Sequence, residues 1–219
     1  MKVVLFGMSS FSKLVKHYIQ SDSDDTVVAF TVDREYALET EFDGIPVIPF
    51  DELDSVFLKT DITIIVTCGY KKLNQVRKEV FARCKSKGYQ IGGYVHSTAQ
   101  IEIEQIGQGN IILPNARIAP FVKLGNGNII FNDVVINHET SVGDYNYFAP
   151  GFICGGLCTI GSCNFFGLKS TLRDSITVGN SNLVGASAYL PKSIGSNQLV
   201  KPASTTIESM NERTLQDLL

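Results

Sequence analysis

In the stretch INHETSVGD a histidine, His138, is followed directly by a glutamate, Glu139. An imidazole with a carboxylate beside it is an arrangement for general-base chemistry, because the acid orients the ring and raises its basicity. The same two residues also fit a surface histidine with an incidental acidic neighbour. A second group of candidates stands near the amino end. The turn GMSSFS places Ser9, Ser10 and Phe11 where a short apolar run gives way to a helix. Free N–H groups and hydroxyls at a helix N-terminus suit a phosphate, although serines there equally serve as plain caps. Asp33, followed by Arg34, and the run Cys68-Gly69-Tyr70 end two further apolar stretches. An aspartate in that place can accept hydrogen bonds from a ribose or a base. The glycine fingerprint G-x-G-x-x-G is absent, with Gly7 alone at the turn, which argues against a nicotinamide dinucleotide. A mononucleotide or a nucleotide-sugar diphosphate fits better.

Other reactive side chains carry less. Five cysteines, an odd number, argue against a closed disulfide framework. Cys154, Cys158 and Cys163 are spaced C-x3-C-x4-C, which invites zinc, but no fourth ligand follows nearby. Small buried thiols are the favoured reading, and no metal is expected. His17 falls inside a helix and His96 at a junction. No Ser–His or Cys–His nucleophile pair is evident.

What must position these residues is a repeat. Gly107, Gly125, Gly143, Gly161 and Gly179 fall eighteen residues apart, each after an aliphatic residue. Steps of six from Ile106 to Leu190 meet fifteen consecutive apolar positions, among them Ile118, Ile136, Phe148, Cys154 and Leu172. Residues four further on are mostly small, as at Asn110, Asn128, Asn146, Asn164 and Asn182. A helix repeats every 3.6 residues and a strand every two, so a strict six fits neither. Three faces of six residues make a triangular parallel β-helix, with apolar side chains inward and glycine at the corner. About five coils are expected. His138, two residues after the inward Ile136, then leaves the coil outward.

The first ninety residues read differently. Strands are expected at 3–6, 27–32 and 62–66, with a short apolar run at 45–48. Helices are expected at 11–20, near 51–57, and at 72–87, the last amphipathic through Val76, Val80 and Phe81 and closed by Gly88. Alternating strand and helix make a small parallel sheet, whose ligands bind beyond the strands' carboxyl ends. The expected domains are 1–92, an α/β nucleotide-sugar-binding unit; 93–205, the β-helix; and 206–219, a tail whose last residues read as a short helix or strand.

The motifs GMSSFS, VDREY, YVHSTAQI, INHETSVGD and CGGLCTIG together resemble the hexapeptide-repeat nucleotide-sugar acyltransferases. These are bacterial 4-aminosugar N-acetyltransferases and sialic-acid O-acetyltransferase-like enzymes. The resemblance covers essentially the whole chain. It implies an α/β plus all-β fold: a small Rossmann-like parallel sheet domain, then a left-handed parallel β-helix. The hand comes from the resemblance alone, since parallel crossovers are otherwise right-handed. It further implies acetyl-CoA as co-substrate, a nucleotide-linked aminosugar as acceptor, and a homotrimer with active sites between neighbours. His138 matches the catalytic base and Glu139 its supporting acid. Ser9, Ser10 and Phe11 match the turn that holds the nucleotide sugar, Asp33 and Arg34 its base or ribose contacts, and Gly69 a close approach to the same ligand. Tyr147 matches a position near the acetyl group, and Leu168 and Ala186 match backbone contacts to acetyl-CoA. The first turn departs from the family's usual G-x-G-G-H-G, and VKPAS at 200–204 stands for its closing G-x-P-A-K. O-acetylation of a sugar hydroxyl, and a non-catalytic nucleotide-sugar-binding trimer, are the alternative functions.

Composition excludes other classes. Of 219 residues 44% are apolar and 19% charged, enough for a packed core, and the net charge of −3 offers no basic field to nucleic acid or an anionic membrane. The longest apolar runs are far short of the ~20 residues that span a bilayer. Met1-Lys2 leads directly into a strand without a secretory signal, so a cytoplasmic location is expected.

Overall fold

A computed structural model describes residues 1–203. The helix or strand expected in the tail lies outside the described residues.

The amino-terminal part is a six-stranded sheet built from β1 (Lys2–Phe6), β2 (Thr26–Val32), β3 (Glu41–Phe42), β4 (Ile45–Pro49), β5 (Ile62–Val66) and β6 (Gln90–Ile91). Their order is β3-β4-β2-β1-β5-β6, parallel except for the β3–β4 hairpin. β5 is buried along its whole length and β1 from Val3 onward, as an apolar strand covered on both faces must be. Three helices connect the strands: α1 (Ser10–Asp22), α2 (Leu53–Val56) and α3 (Gln75–Ser86). α3 begins three residues later than expected, because Lys72, Leu73 and Asn74 all adopt left-handed backbone, with φ of 52°, 47° and 66°. The strands β3 and β6 were not expected.

From Tyr94 to Val200 the chain winds a left-handed parallel β-helix of two-residue strands. Its three faces hold seven, six and five strands, more coils than the five expected. The stepped apolar positions point inward and form one continuous core from Ile112 to Leu190. Ile106 is the exception, 46% exposed in the first coil, where no coil lies beneath it. The corner glycines are required by close approach, since a methyl on Gly143 would stand 2.9 Å from the carbonyl of Gly161. Left-handed backbone falls two residues later, on Gly109, Gly127, Tyr145, Cys163 and Ser181, and at the matching place of another edge on Phe121, Glu139 and Leu157.

The five asparagines of this series are buried and form a ladder. The Oδ1 of Asn110, Asn128, Asn146 and Asn164 each accepts the backbone N–H of the asparagine one coil on, at 2.8 to 2.9 Å. Their amides donate to corner carbonyls such as those of Gly125, Gly161 and Gly179. Polar backbone that turns a corner inside a core must find such partners. The five cysteines are free; Cys84, Cys154, Cys158 and Cys163 are buried, and burial raises the Cys84 thiol to about 12.

The sheet packs on the seven-stranded face: Val3, Leu5, Val15 and Ile19 share one apolar cluster with Ile111, Ile129 and Tyr147. Polar contacts secure it, among them the buried Asn74 amide, which donates to the Asn164 carbonyl at 2.9 Å. Arg77 of α3 is 1% exposed, and its guanidinium donates to the carbonyls of Gly69 (2.8 Å), Gly127 (2.9 Å), Tyr145 (2.9 Å) and Asn146 (3.1 Å). Burial lowers it to about 10, so it stays charged at neutral pH. At the end of α1, Asp22 accepts from the Tyr94 hydroxyl at 2.8 Å, the Ser97 N–H at 2.9 Å and the Ser97 hydroxyl. The bonds from Ser97, chiefly, hold its carboxyl down at about 2.

Arg77→Met removes the donors and leaves buried carbonyls unpaired, so it should destabilise by about 3–5 kcal/mol, read by calorimetry. Asp22 gives an acid signature. Because its folded pKa lies below the ordinary carboxylate value of about 3.9, its contribution is complete above that value and is lost as pH falls towards 2. Asp22→Asn should therefore be less stable than wild type at pH 6, and the two melting curves should converge towards pH 2.

Candidate active site

The first turn is set by Gly7, whose φ of +134° suits only glycine and whose α-carbon abuts Thr67. Ser9 caps α1, its Oγ accepting the Ser12 N–H at 3.3 Å, so the capping role is realised. The Ser12 hydroxyl is braced by the buried Thr67 at 2.9 Å. Ser9 and Ser10 are exposed, and the N–H groups of Ser10 and Phe11 donate to no described group. Gly69 faces open space; a methyl there would meet nothing within 4 Å.

Aromatic rings join this turn to the β-helix. Phe11 lies 5.4 Å from Phe131, Phe131 lies 5.2 Å from Tyr147, and Tyr147 stacks on Phe165 at 5.1 Å. Tyr70 closes the group edge-on against Tyr147 and Phe165. Burial raises the Tyr147 phenol to about 12. Its recorded ring contacts are with this cluster, beside the first turn. Tyr70 ends a run the sequence already marks, whereas Phe131 and Phe165 have no such signal, because outward aromatic residues on a coil have no motif of their own.

Asp33 and Arg34 line an open depression with Glu35 and Arg83 at the end of β2. Both are already paired. Arg83 engages Asp33 through two bonds, at 2.9 and 3.1 Å. Arg34 donates to Asp51 at 2.7 Å and to Glu52 at 2.6 Å, and these two acids raise its pKa. Arg83, Asp51 and Glu52 are partners that no local spacing announced.

The remaining candidates stand on the edges of the prism. His138 is on the edge between the six- and five-stranded faces, with its side chain 55% exposed and Nδ1 3.1 Å from Glu139 Oε2. One coil on, Gly156 lies against the other side of the ring. The eighteen-residue step from His138 would have found it. Leu168 and Ala186, both exposed, are stacked one coil apart on the edge between the seven- and six-stranded faces. The two edges are separated by a face of six residues, roughly 15–20 Å at ~3.3 Å per residue. A single chain thus brings together the first turn, Gly69 and Tyr147. It leaves His138 with Glu139, and Leu168 with Ala186, as separate groups.

The edges differ in their backbone donors. On the third edge the N–H groups of Gln108, Asn126, Asp144, Ser162 and Asn180 are each capped by a side-chain oxygen one coil on, at 2.6 to 2.9 Å. On the other two, the N–H groups of His138, Gly156, Leu168 and Ala186 donate to no described group. Open donors on an edge can bind carbonyl oxygens of a ligand, or a developing oxyanion. Among the described residues no cluster of His, Cys, Asp or Glu is placed to hold a metal ion.

No protein-family model and no curated protein sequence matches the chain. Solved structures do. PerB from Caulobacter crescentus, solved with CoA and GDP-perosamine, superposes with a TM-score of 0.81 at 19% identity over 91% of this chain and 93% of that one. Two variants of that organism's perosamine N-acetyltransferase, with one histidine replaced by alanine or by asparagine, were solved with the same ligands. The acetyltransferase domain of PglB from Neisseria gonorrhoeae, with acetyl coenzyme A, gives 0.78 at 19% identity over 94% and 98% of the two chains. WeeI from Acinetobacter baumannii gives 0.78 at 21% identity over 92% and 97%. The motifs' resemblance is thus met by the fold: this chain has the sheet-plus-left-handed-β-helix architecture of these acetyltransferases.

Proposed function

We propose that this protein transfers an acetyl group from acetyl-CoA to the amino group of a nucleotide-linked 4-amino-deoxysugar. The observation that carries the reading is the exposed His138–Glu139 pair, 3.1 Å apart, on an edge with unpaired backbone donors. With its Nδ1–H donating to Glu139 Oε2, the neutral ring presents a free lone pair at Nε2. Acetyl-CoA supplies the thioester carbon that the sugar amine attacks. His138 accepts the amine proton as the new bond forms and returns it to the departing thiolate. The Gly156 N–H, beside the ring, serves the developing oxyanion, and no covalent enzyme intermediate is needed. Leu168 and Ala186 fit the acetyl-CoA side through their open N–H groups, with Tyr147 near the acetyl group. Ser9, Ser10 and Phe11 take the diphosphate end of the sugar nucleotide, Asp33 and Arg34 the base or ribose, and Gly69 the close approach.

The protein works in this reading as a homotrimer in the cytoplasm, feeding surface-glycan and lipopolysaccharide synthesis. Its domains divide at 92 and 205. Threefold assembly is supported by the separation of the His138 and Leu168 edges, which a neighbouring copy can bring together. Light scattering should give three times the 24.0 kDa chain mass. A stable monomer with full activity would overturn the shared site.

His138→Asn keeps the shape and removes the basic nitrogen. It should lower kcat about 10²–10⁴-fold with little change in either KM, and Glu139→Gln should cost less. CoA release is measured against 4-amino and 4-hydroxy nucleotide sugars in parallel. Full activity in the asparagine variant would remove the base, and release with hydroxy sugars alone would replace N- by O-acetylation.

A further inference from the structure

The imidazole of His138 is held from two directions. Glu139 takes Nδ1, and the opposite edge of the ring lies over the α-carbon of Gly156. A methyl built on Gly156 would stand 2.7 Å from Nε2, 2.8 Å from Cε1 and 3.2 Å from Cδ2, and these are the three nearest atoms it would meet. Nothing else recorded there calls for glycine. The φ of Gly156 lies outside the left-handed region, whereas Gly151 at the neighbouring edge has φ +72°. Nor does backbone crowd it as it crowds Gly155, where a methyl would lie 2.5 Å from the Asp174 nitrogen.

We propose that Gly156 is a positioning residue for His138: its missing side chain is the floor on which the imidazole rests, and this sets where Nε2 stands on the edge. The inference rests on His138 as the base. A methyl at 2.7 Å must displace the ring by about 1 Å to restore ordinary contact at ~3.5–4.0 Å. The ring end is free to move, so the coil keeps its form while the base loses its place. Misplacing a reacting group by about 1 Å costs about 10²-fold.

The test compares Gly156→Ala with Gly195→Ala, a site where a methyl meets nothing within 4 Å. The chain has three histidines, so imidazole ¹H–¹⁵N correlation spectra are simple, and the His138 signals are those lost in His138→Asn. In Gly156→Ala the His138 signals should move while those of His17 and His96 stay. kcat should fall about 10- to 100-fold with both KM values within about twofold. The thermal midpoint should hold or rise, because alanine restricts the unfolded chain. Gly195→Ala should leave kcat and the His138 signals unchanged. In a His138→Asn background, adding Gly156→Ala should produce no further fall. Unmoved His138 signals, or a second fall in that background, would overturn the proposal; the second fall would mean the added methyl acts without the imidazole, by obstructing the substrate. A fully active His138→Asn enzyme with shifted ring signals in Gly156→Ala would instead remove the base and leave the steric contact standing.

Discussion

One buried cation ties the two halves of this molecule together. The Arg77 guanidinium has no acidic partner among its recorded hydrogen bonds, and it reads the backbone of both halves at once. Carbonyls of Cys68 and Gly69 come from the strand-end loop of the sheet, and those of Gly127, Tyr145 and Asn146 from consecutive corners of the β-helix. A planar fork with five donors can satisfy such a set, whereas an ammonium group cannot. Because Gly69 and the aromatic cluster follow from this registration, the first turn faces Tyr147 at a fixed place. The carbonyls Arg77 holds thus fix how the first turn meets Tyr147 as well as contributing to stability.

The β-helix then separates closed from open backbone by edge. At each corner the residue two after the inward one turns outward, and it carries an outward N–H except where proline stands there, as at Pro114, Pro120 and Pro150. On the edge with Asn126, Asp144, Ser162 and Asn180 the outward N–H groups are consumed by side chains in register, and that edge is closed. On the edges with His138 and Gly156, and with Leu168 and Ala186, no such side chain intervenes. An inert ladder and an open one differ only in the residue type placed every eighteen positions.

Much of this was legible because the period is strict where it matters. The interval of six survives from Ile106 to Leu190, and the buried series follows it. The end coils were missed for a definite reason. Val95 pairs with Ile112 and Ile101 with Ile118, seventeen residues apart, and Val184 pairs with Val200, sixteen apart. A count by eighteen slides out of step at both ends. The β3–β4 hairpin had its signal in Asp43-Gly44, both at positive φ, as a tight hairpin turn requires. The late start of α3 had none, since Lys72, Leu73 and Asn74 carry no glycine to mark the left-handed turn. The site was legible as residues and less so as contacts. His138–Glu139 could be read because the partners are adjacent, whereas the pairs Asp33–Arg83 and Arg34–Asp51 are long-range.

That adjacency would be useless on a strand. Successive side chains of an extended chain point to opposite faces, so neighbours i and i+1 cannot meet across a hydrogen bond. The corner changes this. Glu139 occupies the left-handed position, with φ of 54°, and the turn there brings its carboxylate round to the imidazole of the residue before it. An L-residue in that conformation costs about 1–2 kcal/mol. Yet Phe121 one coil before and Leu157 one coil after hold the same conformation without any recorded role in the pair, so the cost belongs to the architecture and not to the site. The β-helix imposes a left-handed residue at this corner in four successive coils, from Phe121 to Ser175. Placing histidine before a glutamate at one of them was enough to turn a structural necessity into an oriented acid–base pair, with the coil above supplying the glycine that the ring lies on.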